Sequence, residues 1–203
     1  MTATARLALL GDSIAWGQGA SREEDRLAPL LVRGLAERAV AAETRVFAVP
    51  GARSAGLAPQ VDRATAWRPH LSLVIVGAND LTHLVPVGQA IDDFTEAVRR
   101  LREAGSEVVV APAPDLSTVP HVPAALRLVV QAASGELRRQ QVTVATRLGA
   151  RVGDANAAIA RAFGADPGLF SADRFHPSSR GYAVIAEALL PDVVAACQDL
   201  GRT

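Results

Sequence analysis

Three residues far apart in the chain have the types that nucleophilic catalysis requires. Ser13 directly follows a short apolar run, and Asp173 and His176 lie three residues apart near the other end of the chain. A serine hydroxyl is a weak nucleophile at neutral pH and needs a neighbouring base to remove its proton. With His176 as that base and Asp173 orienting its imidazole, the pattern predicts a serine hydrolase that works through an acyl-enzyme.

The spacing of Asp173 and His176 is the most specific part of this pattern. A turn ahead of a helix that Ser178 can cap would bring the carboxylate to Nδ1 and leave Nε2 facing the serine. Asp154 is an alternative orienting acid, because it follows a short predicted strand, but nothing in the sequence fixes it near the histidine. Ser13 has an alternative role of its own, since a serine at this place can simply cap a turn.

Four sequence blocks in this order resemble those of the SGNH, or GDSL-type, esterase and lipase superfamily. The blocks contain Gly11, Asp12 and Ser13, then Gly51, then Gly77, Ala78, Asn79 and Asp80, and finally His176. The resemblance implies an oxyanion hole formed by the backbone N–H groups of Ser13 and Gly51 and the side-chain amide of Asn79. It also implies chemistry without a metal or another cofactor. The serine block departs from the family's name motif at Ile14, where that motif has leucine.

Five residues that neighbour these blocks are further candidates for the site. Asp12 and Asp80 are expected to bind loop backbone rather than to serve as the orienting acid. Trp16, Phe170 and Phe175 are candidates for the walls of an acyl pocket. Ordinary packing in the protein interior is the alternative role for each of the three aromatic residues.

Apolar runs that alternate with helical patterns predict a parallel α/β sheet. The runs cover residues 7–10, 44–49, 71–76, 107–111 and 150–152. A flavodoxin-like three-layer α/β/α sandwich with a five-stranded parallel sheet follows, and the family resemblance implies the same fold class. Ser13, Gly51 and Asn79 come just after the first three runs. Because ligands bind beyond the carboxyl ends of parallel strands, these residues are expected together at one rim.

Helical patterns lie between and after the strands. Ile91, Phe94, Val98 and Leu101 recur at helical spacing, and Gly105 would end that helix. Further helices are expected over residues 124–148, where Gly135 is a weak point, around residues 157–163, and after Ser178.

Prolines and caps set the expected limits of the remaining elements. Ser21 and Glu24 have the spacing of a capping box for a helix that runs to about residue 40, whereas Pro29 suits the first turn of a helix that starts slightly later. Residues 112–123 contain four prolines and are expected to form a loop. Pro191 is expected to kink or interrupt the last helix.

Composition excludes several classes of protein. The 203 residues suit one compact domain, residues 1–203. Acidic and basic residues balance at 21 each, so no excess of charge points to nucleic acid. All basic residues are arginine, and the absence of lysine excludes a Schiff base and a P-loop lysine. Together with the abundance of alanine, this usage suggests a bacterial, GC-rich source.

The sequence also bears on compartment and redox state. Cys197 is the single cysteine, which excludes an intramolecular disulfide, and its apolar surroundings predict a buried thiol. The apolar run at residues 7–10 is too short for the core of a signal peptide. No stretch approaches the ~18 apolar residues of a membrane span. We therefore expect a cytoplasmic protein without integral membrane association.

Taken together, these patterns predict a serine esterase whose substrates are small-molecule carboxylic esters. Because aromatic residues are few, short acyl chains are favoured; a lysophospholipase or thioesterase for longer chains is the alternative within the same class. A catalytically silent binding module with the same sandwich is an alternative of another class. A phosphoacceptor signalling domain shares the topology but would need a lysine. A metallohydrolase is disfavoured because no histidine or cysteine pair has ligand spacing.

Overall fold

A five-stranded parallel sheet forms the centre of the protein in a computed structural model, which describes residues 4–153 and 156–200. The strands are β1 Ala5–Gly11, β2 Ala42–Val46, β3 Leu71–Ile75, β4 Glu107–Ala111 and β5 Arg151–Val152. Their order in the sheet is β2-β1-β3-β4-β5, and every neighbouring pair is parallel. This is the flavodoxin-like order, so the predicted fold class is confirmed.

Helices cover both faces of the sheet. The α-helices among the described residues are α1 Ser13–Trp16, α2 Leu27–Ala36, α3 Leu57–Trp67, α4 Ala78–Thr82, α5 Val87–Glu103, α6 Arg127–Arg147, α7 Asn156–Ala165 and α8 Ser179–Asp199. Short 3₁₀ turns lie at Glu23–Asp25, Ser54–Gly56, Leu116–Thr118, Ala124–Leu126 and Pro167–Leu169. The sequence patterns had predicted neither α3 nor α4.

The side chains of each strand alternate between two hydrophobic layers. In β1, Leu7 and Leu9 pack under α2 and α8, whereas Ala8 and Leu10 pack under α3 and α5 on the other face. Parallel strands with both faces covered read as continuous apolar runs, which is why the runs were visible in the sequence. The sheet is therefore buried on both faces below the rim where the candidate site residues lie.

The second strand ends earlier than predicted. Residues 44–49 were expected to form it, but the regular strand is Ala42–Val46. The backbone N–H groups of Phe47 and Ala48 both donate to the carbonyl of Leu9, at 2.8 and 3.1 Å, which breaks the regular ladder. The N–H of Val49 then reaches the carbonyl of Gly11, so the segment still follows β1 as extended chain.

The predicted capping box at the second helix is absent. The Ser21 hydroxyl lies 2.8 Å from the hydroxyl of Ser179 instead of capping its own segment, and Glu24 belongs to a 3₁₀ turn. The helix α2 starts at Leu27, with Pro29 in its first turn, and ends at Ala36. The later start that Pro29 indicated was therefore right, and the box was wrong because Ser21 is tied to the start of α8.

The last helix begins as predicted but is not interrupted. Ser178 is its N-cap and accepts a hydrogen bond from the N–H of Gly181 at 3.3 Å. The helix continues through Pro191 to Asp199, because packing on both sides of the proline holds it: Leu189, Leu190 and Val193 are all buried. Gly135 likewise does not divide α6.

The helix α8 is long and apolar enough to meet a membrane-span criterion of length and composition, although no stretch of the sequence was predicted to approach a membrane span. Half of its apolar window is buried against the rest of the protein. Tyr182, Leu189 and Val193 from this helix belong to the core beneath α2, so packing against the sheet accounts for its apolar composition.

Candidate active site

Ser13 lies at the carboxyl-terminal rim of the sheet, two residues after the end of β1 at Gly11. Gly11 has a φ of +127°, and a Cβ there would lie 1.7 Å from the carbonyl oxygen of Ile75 on β3, so only glycine fits. Ser13 is the first residue of α1, where a backbone N–H has no acceptor within the helix. The N-cap is Asp12, whose Oδ1 accepts a hydrogen bond from the N–H of Ile14 at 2.9 Å.

Ser13, His176 and Asp173 form a continuous chain of hydrogen bonds. Nε2 of His176 lies 3.0 Å from Oγ of Ser13, and Nδ1 lies 2.7 Å from Oδ2 of Asp173. A carboxylate only accepts, so Nδ1 carries the hydrogen and Nε2 is left to accept from the serine hydroxyl. The side chain of His176 is only 14% exposed, whereas that of Asp173 is 46% exposed. Asp154, the alternative acid, lies outside the described residues.

The carboxyl group of Asp173 also organises its own turn. Its Oδ1 accepts hydrogen bonds from the N–H groups of Phe175 and His176, both at 2.9 Å, and from the Ser171 hydroxyl at 2.8 Å. Partial burial raises the pKa of Asp173, but these bonds and the one from the His176 side chain together hold it well below its usual range. His121, which carried no prediction, donates from Nε2 to the backbone carbonyl of Asp173 at 2.6 Å.

Gly51 and Asn79 lie in two rim segments that are bonded to each other. Gly51 follows Pro50 in a turn closed by the N–H of Ala52 donating to the carbonyl of Val49 at 3.0 Å. Its φ of +79° matches the third position of a type II turn, where glycine is favoured. The side-chain amide of Asn79 donates to the carbonyl of Ala52 at 3.1 Å. One of the two amide hydrogens of Asn79 therefore ties this turn in place.

Asp12 and Asp80 both bind loop backbone. Asp80 accepts hydrogen bonds from the N–H and the hydroxyl of Ser54, each at 3.0 Å, and so fixes the chain just after the Gly51 turn. Burial raises the pKa of Asp80, and the bonds from Ser54 offset part of the shift. Burial raises the pKa of Asp12 to about 7, and its Oδ2 is buried without a hydrogen-bond partner among the described residues.

An apolar pocket lies beside Ser13 and His176. This space is called here the apolar pocket. Its walls include Leu116, Val119, Ile159, Phe163, Phe170 and Phe175. Two of the three aromatic candidates therefore line it. Trp16 does not: it borders a separate depression, and the Arg26 guanidinium lies 4.3 Å from the centre of its ring.

Two residues that the sequence patterns had not singled out form hydrogen bonds to the backbone on either side of Ser13. The buried Gln60 side chain accepts from the N–H of Gly11 at 2.7 Å and donates to its carbonyl at 2.9 Å. The buried Tyr182 hydroxyl donates to the carbonyl of Gln18 at 2.8 Å, just after α1. Gln60 lies on the apolar face of α3 with Leu57 and Ala64, and a polar residue on such a face was the signal available.

Comparison with solved structures first defines the fold class of the chain. The chain superimposes on the crystal structure of TesA with a TM-score of 0.78 at 19% identity, covering 94% of this chain and 99% of that one. It superimposes on an acetyl xylan esterase from Geobacillus stearothermophilus, the variant Axe2-W215I, with a TM-score of 0.74 at 16% identity, covering 93% and 94%. At these identities the likeness establishes the fold alone, an α/β/α sandwich.

Sequence comparison then gives the family. The model of the GDSL-like Lipase/Acylhydrolase family matches residues 9–184, and the chain belongs to this family. A curated relative, the GDSL-like esterase Rv1075c of Mycobacterium tuberculosis, is 35% identical over 189 residues. That alignment covers 90% of this chain but only 60% of the relative, so the chain spans about three fifths of the relative's length.

Proposed function

We propose that this protein is a serine esterase that hydrolyses small carboxylic esters through an acyl-enzyme. The observation that carries the proposal is the hydrogen-bonded chain from Ser13 through His176 to Asp173, with heavy-atom distances of 3.0 and 2.7 Å. These distances lie within the reach required of a nucleophile, its base and the group that orients the base. Family membership supports the same reaction class.

In the proposed first step, Oγ of Ser13 attacks the ester carbonyl carbon while its proton passes to Nε2 of His176. The imidazolium then donates this proton to the leaving alcohol oxygen, which leaves an acyl group on Ser13. A water molecule gives its proton to His176 and attacks the acyl-serine, and the proton returns to Ser13 as the carboxylic acid departs. Asp173 stays ionised throughout and stabilises the imidazolium, in keeping with its lowered pKa.

The negative charge on the former carbonyl oxygen needs donors in each step. We propose the N–H groups of Ser13 and Gly51 and the Asn79 amide. The first belongs to the start of α1, where the N–H has no intrahelical acceptor, and the second is not used by its own turn. Asn79 has a second amide hydrogen besides the one bound to Ala52. One such donor is worth about 3 kcal/mol of the barrier.

Short acyl chains fit the apolar pocket better than long ones. The pocket volume is about 70 Å³. Pockets for drug-sized ligands typically measure about 300–1,000 Å³, so this one suits a small acyl group. Acetyl to hexanoyl groups are the expected range, and acetylated sugars or simple alkyl and aryl esters are candidate substrates. A lysophospholipase or thioesterase for longer chains remains the second candidate within this class.

The test is hydrolysis of p-nitrophenyl esters from acetate to dodecanoate, with wild type beside Ser13→Ala. We expect serine-dependent turnover with an optimum at short chains. An optimum at decanoate or dodecanoate would favour the long-chain candidate. If no ester is turned over and a fluorophosphonate does not label Ser13, the protein is a silent binding module and the proposal is wrong.

A further inference from the structure

A second cavity adjoins the apolar pocket and carries two arginines. This cavity, called here the arginine cavity, has a volume of about 500 Å³, and its walls include Thr118, Arg127, Leu128, Gln131, Phe163 and Arg174. It shares Thr118 and Phe163 with the apolar pocket, so the two spaces are neighbours. No aspartate or glutamate of the described residues lines it. Among the described residues, the charged side chains that line it are Arg127 and Arg174 alone.

Arg127, one of the two arginines that line this cavity, has no carboxylate partner among the described residues. It is the first residue of α6 and is exposed. Its Nε lies 3.5 Å from the carbonyl oxygen of Val122, at the long limit for a hydrogen bond. Within the described part of the chain, the ion pairs include none from Arg127. Apart from this contact, its guanidinium donors have no partner among the described residues and can bind a ligand.

Arg174 lines the same cavity and belongs to the turn that contains Asp173 and His176, called here the catalytic turn. It lies between Asp173 and His176 and has a φ of +57°. A residue with a Cβ rarely adopts this conformation, and such outliers concentrate at functional sites. The described residues contain no carboxylate that pairs with its guanidinium, although other arginines do form pairs, such as Arg180 with Asp166 at 2.7 Å. The left-handed turn therefore presents, next to the proposed site, a guanidinium that forms no ion pair with the described residues.

The acids near the cavity are already engaged. Oδ1 of Asp115 accepts a hydrogen bond from the N–H of Ser117 at 2.9 Å. Asp166 accepts from the N–H of Gly168 at 2.8 Å as well as from Arg180. Neither carboxylate neutralises the two guanidinium groups. Because neither arginine forms an ion pair with the described residues, an anion brought by a ligand could bind both.

We propose that the arginine cavity binds a carboxylate or phosphate carried by the substrate at the end remote from the scissile ester. This inference rests on the proposed esterase activity and names the substrate class: anionic esters. Guanidinium groups bind both anions through paired N–H···O bonds, which explains two arginines at one cavity. The anion contributes to binding and orientation, while the bonds that form and break at Ser13 stay as described.

The experiment compares esters matched in length. In the acyl arm, p-nitrophenyl hexanoate is compared with the p-nitrophenyl monoester of adipic acid, whose six-carbon acyl chain ends in a carboxylate. In the alcohol arm, butyl acetate is compared with 4-acetoxybutyrate. The readout is the ratio of kcat/KM for the anionic ester to that for the neutral one. We expect a ratio on the order of 10 in one arm, which also identifies the side of the ester that carries the anion.

Variants assign this preference to the two arginines. Arg127→Gln should lower the ratio about threefold, and Arg127→Gln with Arg174→Gln should bring it to about 1. Arg147→Gln removes the same charge from the far end of α6, roughly 30 Å away, and should leave the ratio unchanged. Because Arg174 adjoins the catalytic turn, Arg127→Gln alone carries the test if Arg174 variants do not fold. At 1 M salt, where the Debye length is about 3 Å, the preference should shrink.

The outcomes separate this inference from the proposed function. Ser13-dependent turnover with a ratio near 1 in both arms would overturn the anionic substrate class and leave the esterase intact. A ratio that persists in the double variant would also overturn it, because the preference would then arise elsewhere. Absence of turnover with every ester would remove both proposals.

Discussion

Nε2 of His176 lies 3.0 Å from Oγ of Ser13, although 163 positions separate the two residues in sequence. The contact joins the start of α1, just after strand β1, to the turn before the last helix, α8. The Tyr182 hydroxyl bonds from α8 to the carbonyl of Gln18, so the two segments are also joined beneath the site. The hydrogen bond between Ser13 and His176 gives the first prediction.

Ser13→Ala and His176→Ala should each lower kcat/KM by roughly 10⁴- to 10⁶-fold, and the double variant should be no worse than either one. The effects do not add because the hydroxyl and the imidazole perform one proton transfer together. The measurement is hydrolysis of p-nitrophenyl acetate by all three variants, with thermal unfolding as the control for folding. Near-wild-type turnover by Ser13→Ala would refute the mechanism.

Asp173→Asn should lower kcat by about 10²- to 10⁴-fold, because an amide facing Nδ1 no longer selects the tautomer that leaves Nε2 as acceptor. Ser171→Ala is the matched control. It removes one hydrogen bond to Oδ1 of Asp173 but keeps the carboxylate at Nδ1, so the loss should stay below about tenfold. If the two variants were equally impaired, the turn rather than the charge of Asp173 would be responsible.

Asn79→Ala should lower kcat by about 100- to 1000-fold with little change in KM, because an oxyanion donor acts mainly in the transition state. Thr82→Val serves as the control for the fold of α4, since the Thr82 hydroxyl contacts only that helix and its end: the carbonyl of Asn79 at 3.3 Å and Nδ1 of His83 at 3.2 Å. A change in KM alone would assign Asn79 to substrate binding.

Asp12→Asn should change how stability depends on pH. The folded-state pKa of about 7 lies above the ordinary 3.8, so folding favours the protonated acid. The contribution of protonated Asp12 to the stability of the folded protein is complete below about pH 4 and is lost as pH rises towards 7. Between pH 5 and 8 the free energy of unfolding of wild type should therefore fall by about 3 kcal/mol relative to that of the variant. This fall corresponds to titration over about two pKa units.

Urea unfolding at both pH values measures this difference. Asp92→Asn, an exposed change on α5, is the control and should follow wild type. A parallel pH dependence of wild type and Asp12→Asn would mean that Asp12 titrates normally despite its burial.

Gln60→Leu should destabilise the protein by about 1–3 kcal/mol, because the N–H of Gly11 would be left buried without its acceptor. The carbonyl of Gly11 would keep the hydrogen bond from Val49. Urea unfolding measures the loss, and the exposed Gln89→Leu on α5 is the matched control. We also expect lower esterase activity, since Gly11 sets the direction of the chain into Ser13; full activity would show that Gln60 serves stability alone.

Local patterns were sufficient for most of the sheet and for some of the caps. The apolar run of β4 coincides with the predicted residues 107–111, and Ser178 caps α8 as expected. Errors arose where a distant partner overrides a local preference. Ser21 bonds to Ser179 instead of capping its own helix, and β2 loses its regular ladder where two N–H groups share one carbonyl.

For the candidate site, the sequence alone determined which residue types stand after which strand, because apolar runs and glycines are local signals. Those signals indicated Ser13, Gly51 and Asn79 at one rim, and the strand order β2-β1-β3 makes their strands neighbours. Only the tertiary structure decided what each side chain contacts. Three examples are the bond of Asn79 to Ala52, the position of Trp16 outside the apolar pocket, and the presence of Arg127 and Arg174 at one cavity. Each depends on how segments distant in sequence lie in space. Such contacts depend on the packing of whole elements, which no local pattern encodes.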